Sequence, residues 1–116
     1  MRVLIIEAGK APYEKEIPSA LEAMQELVGG TIQAIYPFGE PVALICNDEG
    51  KLLGLPPNRV LRDEGTGKIY DILCGTFFLC SAPPDSEHFE SLSDEQLEKY
   101  KNRFQRIEFF PGGTLW

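Results

Sequence analysis

The side chains best suited to holding a ligand gather in one stretch: Tyr36, Phe38, Asn47, Lys51, Asn58 and Arg59. An asparagine amide donates and accepts at once, and an arginine fork meets a carboxylate or phosphate through two parallel hydrogen bonds. Tyr36 and Phe38 add ring faces on which a planar group can stack. The six together predict a pocket for a small anionic, nucleotide-like ligand. A plainer expectation competes with it: Asn58 closes a turn, and Arg59 pairs with Asp63 or Glu64.

Catalytic chemistry has less to build on. Hydrolytic and nucleophilic enzymes need a nucleophile, a base and an oxyanion partner. The one histidine, His88, lies in the acidic loop Asp85-Ser-Glu-His-Phe-Glu90, and no serine is framed by the glycines of a nucleophile elbow. Glu7, just after an apolar run, is a candidate carboxylate with Asp71 and Glu49, but acids at strand ends are common without function. Gly9-Lys10 and Gly65-Thr-Gly-Lys68 carry phosphate-loop residue types without the loop's spacing or a helix directly behind them. Cys46, Cys74 and Cys80 sit in apolar runs and read as buried thiols in a reducing compartment. Cys74 and Cys80 are too far apart for a metal knuckle, and His88 lies in an acidic loop, which argues against a metal site. No catalytic residue, metal or cofactor is expected.

Composition narrows the partners. A chain of 116 residues, 43% hydrophobic and 25% charged, reads as one globular domain. Its net charge is −7, with eleven Lys and Arg against eighteen Asp and Glu, which disfavours direct binding of nucleic acid or an anionic membrane. Met1 to Ile6 is too short for a secretory core, and no apolar run approaches the roughly 18–20 residues of a membrane span. A cytoplasmic protein is expected.

The elements that must position these residues follow from periodicity. Arg2 to Glu7 is a continuous apolar run, the mark of a strand buried on both faces. Pro18 to Glu22 opens a helix through a Ser19–Glu22 capping box, with Leu21, Met24, Leu27 and Val28 as its stripe and Gly29-Gly30 as its stop. Strands are predicted at 31–36, 41–46 and 51–55, with a turn at Asn47-Asp-Glu-Gly50 in which Gly50 takes a positive φ. Further strand runs at 60–62, 68–73 and 76–80 follow, with a glycine-rich turn at 63–67 and a bend at Gly75. Ser93 to Arg106 is the clearest helix. Ser93 and Gln96 form a capping box, and Leu97, Tyr100, Phe104 and Ile107 form its apolar stripe. The sum is an α+β fold: one domain over 1–108, a five- or six-stranded mostly antiparallel sheet, and two helices packed on one face. Residues 109–116 make an apolar C-terminal tail, expected to dock on the domain or to mediate a homo-oligomer.

The blocks Ile35-Tyr-Pro-Phe, Cys46-Asn-Asp-Glu-Gly-Lys-Leu, Gly-Leu-Pro-Pro-Asn-Arg59, Ile69-Tyr-Asp-Ile and Gly75-Thr-Phe-Phe resemble a small family known as domain of unknown function 3846. The likeness spans about residues 1–105. It implies an accessory protein of bacterial, phage or mobile-element origin and transfers no catalytic residue. The expectation that follows is a non-enzymatic binder of a small, nucleotide-derived anion, acting to sequester a defence signal. The alternative is an acidic inhibitor or interaction module, a DNA mimic, built on the six carboxylates between Asp85 and Glu98. A small hydrolase centred on Glu7 is a third reading.

Overall fold

A computed structural model describes residues 1–110. Five strands form one antiparallel sheet in the order β2-β1-β7-β4-β3: β1 (Arg2–Ile6), β2 (Tyr13–Glu16), β3 (Ile32–Ile35), β4 (Val42–Asn47) and β7 (Phe77–Ser81). Two more strands, β5 (Pro57–Arg62) and β6 (Ile69–Cys74), pair only with each other in a twisted ribbon inserted between β4 and β7. The helices are α1 (Leu21–Val28) and α2 (Asp94–Phe104). The α+β class and single domain agree with the sequence reading.

The placement of the helices does not. Successive side chains of a strand point to opposite faces. Val3 and Ile5 of β1, Ala43 and Ile45 of β4, and Phe78 and Cys80 of β7 pack with Met24 and Val28 of α1. Leu4, Ile6, Val42, Leu44, Phe77 and Leu79 pack on the other side with Leu97, Tyr100 and Phe104 of α2. The helices therefore cover opposite faces, not one. The reason is in the strands: β1, β4 and β7 are apolar at nearly every position, so either face left bare would expose a row of large side chains. Burial of each phenylalanine of β7 contributes on the order of 1.5–3 kcal/mol. The ribbon shares the α2 side, where Leu61 and Leu73 join that cluster.

Other local expectations also needed correction. Tyr13–Glu16 is a strand, every residue of it exposed, and its alternation of charge hid it behind the preceding glycine and proline. Helix α1 begins one residue later than its capping box requires: Ala20 is the N-cap, and no side chain caps the helix. Residues 51–54 form successive turns rather than a strand, and β5 begins at Pro57. Gly50 has no positive φ. It is glycine because a Cβ there would stand 2.7 Å from the carbonyl oxygen of Cys74. Gly75 does take a positive φ, +84°, and its missing side chain leaves room for Leu55. The Ser93–Gln96 box is present in both directions, and Leu97, Tyr100 and Phe104 are buried as expected, while Ile107 lies beyond the helix and is half exposed. Of the tail, Phe109 is almost fully exposed, and residues 111–116 lie outside the described residues.

Candidate functional site

Asn58 and Arg59 sit on β5, which carries them under the end of α2. Both are buried, each 1% exposed. The Asn58 amide donates to the carbonyl oxygens of Ile6 (2.8 Å) and Gly75 (2.9 Å). Its own oxygen accepts from Arg59 Nη1 at 2.8 Å. Arg59 spends its remaining donors on backbone carbonyls: Nε on Phe104 (3.1 Å), Nη1 on Asn58 (3.2 Å) and Nη2 on Lys10 (2.7 Å). The guanidinium thus caps the carboxyl end of α2, where helical carbonyls lack partners and carry partial negative charge. It also ties that end to the β1–β2 turn. Neither residue closes a turn, and among the described residues no acid forms an ion pair with Arg59. Burial lowers the Arg59 pKa, opposed by the field of Glu108.

The other four residues of the expected pocket are dispersed. Asn47 is buried and structural: its amide donates to the Val28 carbonyl at 3.1 Å, and its oxygen accepts from the Glu49 N–H at 2.7 Å. Phe38 is in the core, 4.6 Å from the Tyr100 ring centroid. Lys51 reaches across to Asp71 at 2.5 Å, and that hydrogen bond raises its pKa. Tyr36 is exposed and lines a separate hollow beside Pro83, Pro84 and His88. Asn47 and Lys51 line one small hollow of about 170 Å³ with Asp71, while Arg59 lines a larger cavity whose Arg103 guanidinium lies 4.9 Å from the Phe38 ring centroid.

That cavity is a groove of about 540 Å³ between the β5–β6 ribbon and the end of α2. Its wall carries Arg59, Arg62, Lys99, Arg103 and Arg106. These are five of the chain's eleven cationic side chains, set in a protein of net charge −7. Three acids face the same space: Asp63, Glu64 and Glu108. Asp63 is turned inward on its own hairpin, accepting from the N–H groups of Gly65 and Thr66 at 2.9 and 2.8 Å, which lowers its pKa. Glu64 holds Arg103 at 2.9 Å. Lys99 lies 3.3 Å from Glu40, whose pKa is lowered first by the Tyr100 hydroxyl donating to it at 2.8 Å and also by Lys99. Arg62 donates to the Gly67 carbonyl at 3.3 Å, and Arg106 makes no ion pair or hydrogen bond among the described residues.

Two of these residues were legible at helical spacing: Lys99 and Arg103 stand at i and i+4 on α2, the mark of one helix face, whereas Arg106 lies beyond its end. Nothing in the sequence placed Arg62 opposite them.

The thiols are of another kind. Cys46, Cys74 and Cys80 are buried and unpaired in disulfides. Burial pushes Cys46 up to about 11 and Cys80 up to about 12, so both are protonated and poorly nucleophilic at neutral pH. Among the described residues no helix is long and apolar enough to cross a membrane.

Fold and site together define a small α+β domain with a cation-lined groove at the junction of helix and ribbon. The chain belongs to the family described as Domain of unknown function (DUF3846), whose model matches residues 1–105. Comparison with curated proteins and with solved structures found no match.

Proposed function

We propose that this protein is a non-enzymatic binder of a small oxyanion, held in the groove between α2 and the β5–β6 ribbon. The observation that carries the reading is the gathering of five cations, three of them arginines at the open wall, in a chain that is otherwise strongly acidic. A concave site with low-dielectric walls focuses such charge and raises the local concentration of anions. The volume falls within the roughly 300–1,000 Å³ usual for small-molecule sites. Arg62 and Arg106 are the contacts of choice, since a guanidinium fork matches phosphate and carboxylate geometry.

A nucleotide-derived signal, the ligand expected from the sequence, would be gripped here by its phosphates and not by stacking on Tyr36. Sequestering such a signal in the cytoplasm of a bacterium is the role this reading implies. The protonated, buried thiols accord with a reducing compartment. Isothermal titration with phosphate, pyrophosphate and a panel of linear and cyclic nucleotides tests the proposal. Binding in the wild type and a loss of about tenfold or more in the Arg62→Ala, Arg106→Ala double variant are expected, as two charge-assisted contacts disappear. An affinity untouched by the double variant would remove the groove as the site.

A further inference from the structure

The two edges of the five-stranded sheet are finished differently. β2 lines one edge with Glu14, Lys15 and Glu16, charges that discourage a further strand. β3 forms the other edge, and no charged side chain occurs between Glu26 and Glu40. The ladder to β4 shows which backbone groups of β3 are spare. The Asp48 N–H donates to the Thr31 carbonyl at 2.9 Å, so Ile32 and Asn47, which stand opposite each other, are a non-hydrogen-bonded pair. By alternation Gln33 and Ile35 exchange bonds with Cys46 and Leu44, while the N–H and C=O groups of Ile32 and Ala34 point away from β4. Among the described residues none of these groups has a hydrogen-bond partner. The edge is also apolar on both faces. Ile32 and Ala34 are only partly buried against the α1-side cluster, and Ile35 against the α2-side one. Leu52, 86% exposed, shares a hollow with Gln33.

We propose that β3 is a docking edge for a second copy of this chain, whose own β3 adds antiparallel about a two-fold axis at Gln33. The spare groups of Ile32 then meet those of the partner's Ala34, and the reverse, with two hydrogen bonds closed at each pair and one continuous sheet formed. What selects a second copy is self-complementarity. A two-fold contact sets the strand against itself, so any charge on it would meet its like, and β3 carries none. Gln33 is exposed, and its amide both donates and accepts, so it can face its own copy. A charged peptide finds no opposite charge on the strand. Each copy has a net charge of −7 and one short strand buries little area, so the dimer is weak and tightens as salt screens the repulsion. The inference is independent of the anion groove, which is built from α2 and the β5–β6 ribbon.

Sedimentation equilibrium of the full chain over about a hundredfold range of concentration, at low and high salt, tests the proposal. The wild type is expected to shift from monomer toward dimer as concentration rises, and more readily at high salt. Ala34→Pro removes a donor that β4 does not use and is expected to stay monomeric. Gln33→Glu and Gln33→Lys alter an exposed side chain. At low salt each is expected to dimerise about three- to tenfold more weakly than wild type, because like charges meet at the two-fold. Gln33→Lys does so although it lowers the net charge. An equimolar mixture of the two is expected to regain association, a rescue that a fault in folding would not produce. The Arg62→Ala, Arg106→Ala double variant, which tests the groove, is expected to dimerise like the wild type at high salt. A wild type that stays monomeric at every concentration and salt overturns the proposal. So does dimerisation that both Gln33 variants and their mixture leave unchanged.

Discussion

The two faces of the central sheet are built on different principles. On the α1 side, Val3, Ile5, Ala43, Ile45, Phe78 and Cys80 meet Met24 and Val28 in an apolar layer, with one buried polar tie, the Asn47 amide donating to the Val28 carbonyl. On the α2 side an equally apolar floor is overlaid by buried polar chemistry: Asn58, Arg59, and the Tyr100 hydroxyl donating to Glu40. The short α1 settles on the sheet through its apolar stripe and the single Asn47 bond. A ribbon and a helix end meeting at an angle leave backbone groups facing one another, and these must be joined by directional bonds or left unsatisfied. Arg59 joins them. Arg62, three residues along the same ribbon strand, lines the same groove but is exposed. Two arginines of one strand thus divide into a structural group and a candidate binding group by depth: one is buried among carbonyls, the other open to solvent.

Substitutions can break or sharpen that contrast. The largest effect is expected for Phe104→Ala, which opens a cavity beside Phe38 and Phe77 and should cost about 3–5 kcal/mol in urea denaturation. Met24→Ala on the other face should cost less, near the lower end of the roughly 2–5 kcal/mol range for such truncations. Equal losses would mean that the faces contribute alike. Next comes Arg59→Ala, expected to destabilise by about 3 kcal/mol because it strands the carbonyls of Phe104 and Lys10. Arg62→Ala should leave stability within about 0.5 kcal/mol, as an exposed side chain with one long hydrogen bond. A comparable loss at both positions would undo the division between them.

Smaller still is the cap of α2. Ser93→Ala removes the acceptor for the Gln96 N–H and should cost about 1 kcal/mol. The same change at Ser19 should cost close to nothing, because α1 has no side-chain cap. The least effect is a pH dependence. Glu40 is held below its ordinary value of 4.5 by Tyr100 and Lys99. A depressed carboxylate adds stability that is fully present above the unfolded-state value and disappears as pH falls through the folded-state value. Glu40→Gln should therefore flatten the acid limb of a stability profile measured between about pH 6 and 3. An unchanged acid limb would count against the Tyr100–Glu40 contact on the α2 face.

Much of the fold was legible in the residues themselves. Strands β1, β4 and β7 announced themselves as apolar runs, and α2 through Ser93, Gln96 and the spacing of Leu97, Tyr100 and Phe104. β2 escaped because every residue of Tyr13-Glu-Lys-Glu16 is exposed, the strand being held by its ladder to β1 and by ion pairs of Glu14 and Glu16 with Arg2, Lys101 and the amino terminus. The segment 51–54 looked like a strand because Leu52 and Leu53 are apolar, yet both are exposed in a turn. The candidate site was less legible. Polar residue types at 47, 58 and 59 invite a ligand, but type alone does not distinguish a donor aimed at solvent from one aimed at a carbonyl.

What this sequence determined by itself is local: where strands run, where α2 begins, that the thiols are buried, and that β1 has two faces to cover. These follow from periodicity, capping and apolarity, which act over a few neighbouring residues. Only the tertiary structure decided which face each helix took. It alone brought β5 beneath the end of α2, made Asn58 and Arg59 framework, and gathered Arg62 with Lys99, Arg103 and Arg106 around one groove. The side chains of a charged groove meet from strands and helices far apart in the chain, and no short-range pattern encodes that meeting.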